Sequence, residues 1–493
     1  MMLLFSHSNN MISRNRLIVI MISLIGLFFI STIRDGHDWG GDFAQYIHHA
    51  KNIAEGNDYA EIGYVKNPFN PLDNPPSSYP PFFPLILSPF YEIAGINLFT
   101  MKIVVIVLFI LSLYLIYLVF NKYLPEGYII PLIAIIGLHP YFWQMKDNIM
   151  SDISFMFLLF TSFYFIDKYI GHKSSNYLSL RNASLLGLII YLPYSIRTVG
   201  LVLIASFLIY NLLKPKNLSK AYLLSLMVFT MLSVLQNAIL STDKSYWEYL
   251  INQPSNYLSN IITYLKLHAD LLENGYSIGL RRISFLIFGG LAVLGYISRV
   301  RDRITILEVF YPTYIAVLII WPFTAGMRSL IPIIPLFFFY SAYGLLNVNQ
   351  RLDLKWKRVT HFIFISIILF AYIPQYAVED YKPIGEGVEL KETIELFEFV
   401  KQNSDKNSVI LFRKPRVLAL YTGRKSSYYY SENDTDLWRL IEHIKSSHII
   451  VGPFDDEMLN KFAKENEEYL SLAFSNKDFQ FFNILSYKNI IEN

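Results

Sequence analysis

The chain of 493 residues contains no cysteine, and only 16% of its residues are charged. Without cysteine it forms no disulfide, uses no thiol nucleophile and offers no thiolate to a metal ion. The formal net charge of +3 is too small to indicate a nucleic-acid partner. The C-terminal part has neither a glycine-rich dinucleotide fingerprint nor a P-loop, so nucleotide binding lacks support there.

Hydrophobic residues make up 53% of the chain, and the mean hydropathy is +0.35. Such a composition is typical of proteins with several membrane spans. We predict about eleven spans, at 17–33, 98–120, 127–143, 151–170, 184–196, 199–213, 221–240, 283–298, 304–321, 329–347 and 360–376. No small-residue cleavage site follows the first run, so it is interpreted as an uncleaved helix. The fifth and sixth runs share a polar hinge at 194–198 and form either two spans or one bent or re-entrant pair.

Basic residues predict the orientation of these spans. With a cytoplasmic N-terminus, every inner connection is basic: Lys122; Lys168, Lys173 and Arg181; Lys214, Lys216 and Lys220; Arg299, Arg301 and Arg303; Arg351, Lys355, Lys357 and Arg358. The short outer connections hold only Lys146, Arg197 and Arg328. The positive-inside rule therefore places the larger segments 34–97, 241–282 and the tail from about 377 on the outer side.

The tail differs from the rest of the chain because charged residues become frequent and no further span occurs. Residues 408–413 and 447–451 have the pattern of buried strands, and 434–446 and 455–468 have helical apolar spacing. We therefore predict a transmembrane domain over 1–376, which includes the outer loop 34–97, and a soluble extracytoplasmic α/β domain over 377–493.

Two acids on the predicted outer side are candidate catalytic residues. Asp42 lies about nine residues beyond the first span, at the start of an amphipathic helical pattern over 43–54, where the helix dipole favours a carboxylate. A role as a simple helix cap is the alternative. Asp152 opens the fourth span from the same side, and the alternative there is an ordinary helix start. If the two acids meet across a cavity, they suit base catalysis or cation binding.

Cations and aromatic residues on the same side suggest how a substrate binds. Arg197 and Arg328 lie at outer span ends, where few cations are expected, and their planar guanidinium groups suit a lipid phosphate. Snorkelling is the alternative for both. Arg281 and Arg282 precede the eighth span and either belong to the same phosphate site or mark an error in the topology.

An aromatic groove for a lipid or a sugar is predicted from Tyr46, Tyr79 and Phe82. His37, His48 and His49 do not share a helical face in a metal-ligand spacing. A divalent metal at Asp42 and Asp152 stays an open alternative, and no cofactor is otherwise indicated.

Together these segments resemble the GT-C superfamily of membrane glycosyltransferases, in particular bacterial relatives of protein mannosyltransferases and aminoarabinose transferases (the family 39-like group). The matching segments are 41–46 with Ala50 and Gly56, 79–87, 151–152, 197–200, 328–335 and, in the tail, 413–424. The resemblance implies a mainly α, polytopic membrane helical bundle of GT-C type with a C-terminal soluble α/β domain. Gly41 precedes Asp42, so the paired acidic motif of protein mannosyltransferases is absent.

The resemblance also implies an activity. It makes Asp42 the general base, Asp152 a supporting acid or cation ligand, and Arg197 and Arg328 contacts of a donor phosphate. The expected reaction moves a sugar from a polyprenyl-phosphate donor to a lipid, glycan or protein acceptor on the outer face of a membrane. For a bacterial host this is the periplasmic face of the inner membrane. The rivals are a polysaccharide polymerase or ligase and a membrane transporter or lipid flippase.

Overall fold

The computed structural model describes residues 2–69, 79–171, 179–213, 220–240, 256–273, 275, 277–322, 324, 326–429, 434–454 and 457–486. The chain divides into two compact units. The helical unit takes its residues from Met1–Ile33, Lys102–Ile239 and Ser245–Tyr381. The mixed unit takes its residues from Arg34–Met101, Leu240–Lys244 and Lys382–Asn493. Parts of the predicted loops 34–97 and 241–282 lie outside the described residues, as do the basic residues Lys173, Lys214 and Lys216.

Helices follow the predicted apolar runs closely. The first group comprises α1 (Met2–Ser31), α2 (Gly41–Glu55), α3 (Phe82–Ala94), α4 (Leu98–Phe120), α5 (Glu126–Gly137), α6 (Pro140–Met145) and α7 (Ser151–Ile166). The next comprises α8 (Leu180–Ile196), α9 (Leu201–Leu212), α10 (Lys220–Ile239), α11 (Tyr257–Asp270) and α12 (Ile278–Asp302). It continues with α13 (Ile306–Ile320), α14 (Ile334–Gln350) and α15 (Leu354–Val378).

Five helical segments in the described part of the chain are long and apolar enough to cross a membrane. They are Leu98–Phe120, Ser151–Ile170, Lys220–Ile239, Ile278–Asp302 and Leu354–Val378. The first predicted run overlaps α1, whose apolar part is Asn15–Ser31, and each of the remaining runs overlaps a shorter helix. The count of about eleven spans therefore stays a prediction. At the predicted hinge, α8 ends at Ile196, Arg197 has an extended backbone, and a 3-10 turn (Thr198–Gly200) leads into α9.

Close helix packing in the helical unit depends on glycine. A Cβ atom at Gly295 of α12 would lie 2.0 Å from the carbonyl oxygen of Tyr340, and one at Gly344 of α14 would lie 2.0 Å from that of Leu291. A Cβ atom cannot lie that close to a carbonyl oxygen. The backbones of α12 and α14 can therefore approach this closely only because both positions are glycine. Small residues are the usual means of close helix approach in membranes.

The mixed unit contains a six-stranded sheet in the order β1-β3-β2-β4-β6-β5. Its strands are β1 (Tyr64–Val65), β2 (Val409–Leu411), β3 (Lys425–Ser427), β4 (His448–Val451), β5 (Leu470–Ser475) and β6 (Gln480–Ile484). Strands β1, β3, β2 and β4 are parallel, whereas β4, β6 and β5 are antiparallel. The C-terminal helices are α16 (Lys391–Asn403), α17 (Pro415–Thr422), α18 (Asp434–Ile444) and α19 (Glu457–Glu465).

Strand β1 comes from the loop 34–97, which the sequence assigned to the transmembrane domain. Tyr64 and Val65 pair with Ser426 and Ser427 of β3 at the edge of the sheet. Main-chain pairing therefore joins the loop to the C-terminal residues, and the mixed unit contains both. The boundary at Tyr381 and Lys382 lies close to the predicted one near residue 377.

Candidate active site

Asp42 lies in the first turn of α2. Gly40 is the residue before the helix and makes no side-chain cap, so Asp42 is not itself the cap. Asp38 instead accepts a 2.9 Å hydrogen bond from the Gly40 amide, and a hydrogen bond with His37 lowers the pKa of Asp38. The polar groups preceding the helix thus have partners of their own. The Asp42 carboxylate lies near the positive end of the helix dipole, and its side chain is 32% exposed.

Two side chains bind the same oxygen of Asp42. The Tyr79 hydroxyl donates a 2.7 Å hydrogen bond to Oδ1, and Arg416 Nη1 lies 3.5 Å from that atom. Arg416 Nη1 also donates to the Tyr79 hydroxyl over 3.1 Å, which closes a triangle of three groups. Burial raises the pKa of the Tyr79 phenol, so Tyr79 stays protonated and donates. Burial lowers the pKa of Arg416, but attraction to Tyr79 and Asp42 outweighs that effect and raises it overall.

Arg416 was not predicted as a site residue. It lies in the first turn of α17, which packs against α2, and it is 374 residues from Asp42 in sequence. Its side chain is only 16% exposed. The one signal was its place in the segment 413–424, which resembles the extracytoplasmic domain of GT-C enzymes. No local pattern indicates that this particular cation approaches the acid.

Backbone and ring contacts fix Tyr79 in place. The Tyr79 amide donates to His49 Nε2 over 3.3 Å, and the Tyr59 hydroxyl donates to the Tyr79 carbonyl oxygen over 2.7 Å. His49 Nδ1 lies 2.7 Å from the Tyr59 carbonyl oxygen, so the imidazole links the two tyrosines. Burial lowers the pKa of His49 to about 4, and the ring is therefore neutral at physiological pH. A neutral ring accepts at Nε2 and donates at Nδ1, as these contacts require.

The predicted aromatic groove residues lie in the same unit. The Tyr46 and Tyr79 rings are 4.8 Å apart, and Tyr46 meets Phe83 edge to face at 5.0 Å. Phe82 is half-buried in the first turn of α3, whereas the neighbouring Phe83 is fully buried. Tyr46 and Tyr79 thus form one aromatic surface beside Asp42. The role of these residues as a groove stays a prediction.

A second charged group lies in the helical unit. Asp152, in the first turn of α7, is 2% exposed, and its two oxygens bind different arginines. Arg197 Nη1 contacts Oδ1, while Arg328 contacts Oδ2 through Nε at 3.3 Å and Nη2 at 3.0 Å. The two guanidinium groups remain 28% and 32% exposed. The structure thus brings together three predicted site residues, with one positive charge in excess.

Local backbone structure positions these arginines. Arg197 lies at the extended residue after α8, and Arg328 lies in a 3-10 turn (Gly326–Leu330) before α14. The hydroxyl of Tyr314 donates to the carbonyl oxygen of Ser329 over 3.0 Å, which anchors that turn. Both cations therefore lie between two helices, where their side chains can turn toward the start of α7.

Arg281 and Arg282, also predicted to contact phosphate, occupy the first turns of α12. Arg281 pairs with Asp270 over 2.7 Å and with Glu273 over 3.5 Å, whereas Arg282 is exposed. Their predicted role is not tested by these contacts. Arg281 does, however, have carboxylate partners that a phosphate would have to replace.

A divalent metal at the acids does not fit the residues present. Both oxygens of Asp152 bind guanidinium groups, and Asp42 has a guanidinium 3.5 Å from Oδ1. A dication would meet these positive charges at short range. Among the described residues, no group of three or more histidine or acidic side chains could hold a metal ion.

Comparison with known proteins identifies relatives only at the level of structure. No protein-family model and no curated protein sequence matches the chain. The oligosaccharyltransferase of Archaeoglobus fulgidus, solved with zinc and sulfate, aligns with a TM-score of 0.62 and 12% identity over 92% of this chain and 71% of its own. ArnT from Cupriavidus metallidurans bound to undecaprenyl phosphate aligns with a TM-score of 0.56 and 10% identity over 95% and 97%.

A third solved structure extends this group. The arabinofuranosyltransferase AftD from Mycobacteria aligns with a TM-score of 0.59 and 10% identity over 96% of this chain, but over only 42% of its own length. All three are GT-C membrane glycosyltransferases. At such low identity the likeness concerns the fold alone, and on that level it confirms the resemblance given by the motifs: the chain has the fold of the GT-C membrane glycosyltransferases.

Proposed function

We propose that the protein is an integral-membrane glycosyltransferase that moves a sugar from a polyprenyl-phosphate donor to an acceptor hydroxyl on the outer face of the membrane. The observation that carries the proposal is the triangle of Asp42, Tyr79 and Arg416 in a chain with the GT-C fold. Solved structures of that fold include ArnT with undecaprenyl phosphate and the Archaeoglobus AglB with dolichol phosphate.

In this proposal Asp42 is the general base. Its carboxylate takes the proton of the acceptor hydroxyl while the acceptor oxygen attacks the anomeric carbon of the donor. The bond from that carbon to the phosphate oxygen breaks, and the lipid phosphate leaves with the electron pair. One displacement of this kind inverts the anomeric centre. The 32% exposed carboxylate is accessible to an acceptor, which a general base requires.

Tyr79 and Arg416 hold that base in position. Because both bind Oδ1, the carboxylate plane is fixed by two contacts on one oxygen. A carboxylate held in one orientation loses little freedom when the acceptor arrives, which lowers the activation barrier. Arg416 comes from the C-terminal part of the chain, so this part contributes a residue directly to the proposed site.

Arg197 and Arg328 are the proposed contacts of the donor phosphate. The charge on the leaving phosphate grows in the transition state, so cations that meet it there accelerate the reaction. The contacts of Asp152 suit a residue that orients the two guanidinium groups and compensates part of their charge before the donor binds. Arg281 and Arg282 are weaker candidates for the same phosphate.

A lipid donor explains why a transferase has so many apolar helices, because its chain has to be reached from the bilayer. Tyr46, Tyr79 and Phe82 are proposed to line the path of the sugar or the lipid. With the orientation given by the basic loops, the N-terminus is cytoplasmic and residues 377–493 lie on the periplasmic side of a bacterial inner membrane. A protein acceptor is less well supported than a lipid or glycan, since Gly41 precedes Asp42.

Two rival functions lead to different expectations. A polysaccharide polymerase or ligase uses a diphosphate-linked donor, so donor chemistry separates it from this proposal. A transporter or flippase requires ionisable residues near helix centres and two related halves. In this chain Asp42 and Asp152 lie in first turns of helices, while Arg197 and Arg328 lie between helices.

The experiment that tests the proposal supplies purified protein in lipid with a panel of labelled polyprenyl-monophosphate sugars and candidate acceptors. Transfer of label with release of the polyprenyl phosphate is the expected result. Transfer only from diphosphate-linked donors would favour the polymerase or ligase. Movement of intact donor across the bilayer without transfer would favour the flippase.

A further inference from the structure

A cavity of about 530 Å³ lies at the end of the helical unit where α14 ends and α15 begins. It is lined by Tyr128, Asn349, Lys357, Arg358 and His361, together with Leu346, Gln350 and Leu354. Two of these described residues carry a fixed positive charge, and none is a carboxylate. Arg328 precedes α14 and Asn349 lies near its end, so the cavity is roughly 20–25 Å along this helix from the arginine pair. It is therefore separate from the proposed donor site.

Buried hydrogen bonds give the cavity a fixed wall. Asn349 is 1% exposed, and its Nδ2 donates to the Tyr128 hydroxyl over 2.9 Å. The hydroxyl of Thr360 donates to Asn349 Oδ1 over 2.6 Å, and Nδ1 of His361 lies 2.7 Å from the Lys357 carbonyl oxygen. These bonds connect Tyr128 of α5, Asn349 of α14 and Thr360 of α15, so they fix the positions of the three helix ends around the cavity.

An apolar cleft adjoins the cavity and shares Tyr128 and His361 with it. Its other walls include Leu132 of α5, Leu345 of α14, and Phe364 and Ile365 of α15. The cleft has room for only about 20 Å³, roughly that of one water molecule, whereas the cavity has about 530 Å³. The cleft is therefore too narrow for an acyl chain, and a hydrocarbon chain has to lie outside it.

The neighbouring surface has the character of a membrane boundary. Trp356 is 55% exposed beside Lys357, and further along α15 the side chains of Phe362 and Ile373 are 73% and 61% exposed. Tryptophan concentrates at the headgroup level, and exposed apolar side chains on a span face lipid. A cavity beside such residues is expected at the depth of phospholipid headgroups.

We infer that this cavity binds the phosphate of an anionic membrane lipid through Lys357 and Arg358, with the acyl chains along the exposed apolar side chains of α15. Arginine offers a planar pair of donors to phosphate, and lysine adds a compact charge. With the proposed orientation the site faces the inner leaflet, whereas Arg197 and Arg328 of the same unit face the outer one. The inference does not depend on the proposed reaction, because lipid binding is measured without a donor or acceptor.

The test titrates the purified full-length protein with phosphatidylglycerol and, separately, with phosphatidylcholine of the same chains, and counts bound lipids by native mass spectrometry. The double variant Lys357→Gln/Arg358→Gln is expected to lose about tenfold or more in affinity for phosphatidylglycerol. The matched control, Arg351→Gln/Lys355→Gln, removes the same charge from exposed neighbours outside the cavity and should bind as the wild type does. Equal losses in both double variants, or equally tight binding of phosphatidylcholine, would overturn the inference.

A competition experiment separates a lipid from free phosphate. Millimolar inorganic phosphate is expected to leave phosphatidylglycerol bound, because the acyl chains make apolar contacts with α15 that free phosphate lacks. Displacement of the lipid by millimolar inorganic phosphate would instead make free phosphate the ligand and overturn the lipid assignment.

Discussion

Tyr79 donates a 2.7 Å hydrogen bond to Asp42 across 37 residues of sequence, and Arg416 lies within 3.5 Å of both side chains. Replacing the Tyr79 hydroxyl should therefore impair the proposed base without removing it. We expect Tyr79→Phe to lower kcat by about tenfold to a hundredfold, the range given by losing a hydrogen bond to a charged group. Because the phenyl ring still packs against Tyr46, KM for the donor should change little.

Arg416 offers a second test of the same triangle. Arg416→Met removes the charge beside Asp42 and should lower kcat at least as much as Tyr79→Phe does. Arg416→Lys keeps the charge but loses the planar fork, so partial activity is expected. Arg439→Gln, which alters an arginine 59% exposed in the same unit, is the control. Wild-type kcat in Arg416→Met would show that Arg416 is structural only.

Asp152 should matter for stability as well as for donor binding. Asp152→Asn leaves two guanidinium groups, 28% and 32% exposed, without their shared carboxylate. The cost should lie between the roughly 0–1 kcal/mol of an exposed pair and the roughly 3–5 kcal/mol of a fully buried one. Thermal unfolding in detergent should show a clearly lowered Tm. Asp270→Asn breaks the more exposed pair with Arg281 and should lower the Tm much less. Equal effects of the two substitutions would contradict the importance given to the buried group.

The arginines themselves are tested by donor binding. Arg328→Gln and Arg197→Gln should each raise KM for the lipid donor, because each removes a proposed phosphate contact. Arg301→Gln, at an exposed position in the last turn of α12, should leave KM unchanged. An unchanged KM in both site variants would remove Arg197 and Arg328 from the donor site.

Acid should destabilise the mixed unit through its buried histidines. Burial lowers the pKa of His48 to about 3, below the ordinary value of 6.5. The unfolded chain therefore binds a proton that the folded chain rejects, and stability is lost as the pH falls from about 6.5 toward 3. The loss approaches about 1.4 kcal/mol for each pH unit in that window. His48→Leu should lessen the fall in Tm between pH 7 and pH 4.5, while the exposed-site variant His443→Gln should follow the wild type.

The packing of α12 against α14 gives a prediction with an internal control. Gly344→Ala places a Cβ atom 2.0 Å from the Leu291 carbonyl oxygen, so the helices must separate and the Tm should fall. Gly290 lies on the partner helix α12, where an added Cβ atom meets nothing within 4 Å. Gly290→Ala should therefore leave the Tm unchanged or slightly raised. Similar melting of the two variants would contradict this close approach.

Much of the fold was predictable because membrane helices and amphipathic helices have strong periodic patterns. The helix that carries Asp42 was predicted over 43–54 and extends over Gly41–Glu55. Predicted strands at 408–413 and 447–451 correspond to β2 and β4. Strand β1 could not be predicted, because two residues carry no periodicity and its partner β3 lies some 360 residues away.

The candidate site was predictable only in part, for a related reason. Arg197 and Arg328 are conspicuous because cations are rare in outer connections, and Asp42 and Asp152 are conspicuous because each begins a helical pattern on that side. Arg416 lies in a polar segment where cations are common, so its sequence context does not distinguish it. Its contact with Asp42 depends on α17 packing against α2, a tertiary relationship that no local pattern specifies.

The most direct test of the central claim compares Asp42→Asn with Asp35→Asn in the sugar-transfer assay, at matched amounts of folded, membrane-inserted protein. The two substitutions are the same and lie in the same segment, but Asp35 is exposed and precedes the helix. The account predicts loss of transfer in Asp42→Asn, with near wild-type turnover in Asp35→Asn. A fully active Asp42→Asn enzyme would contradict the assignment of Asp42 as the general base.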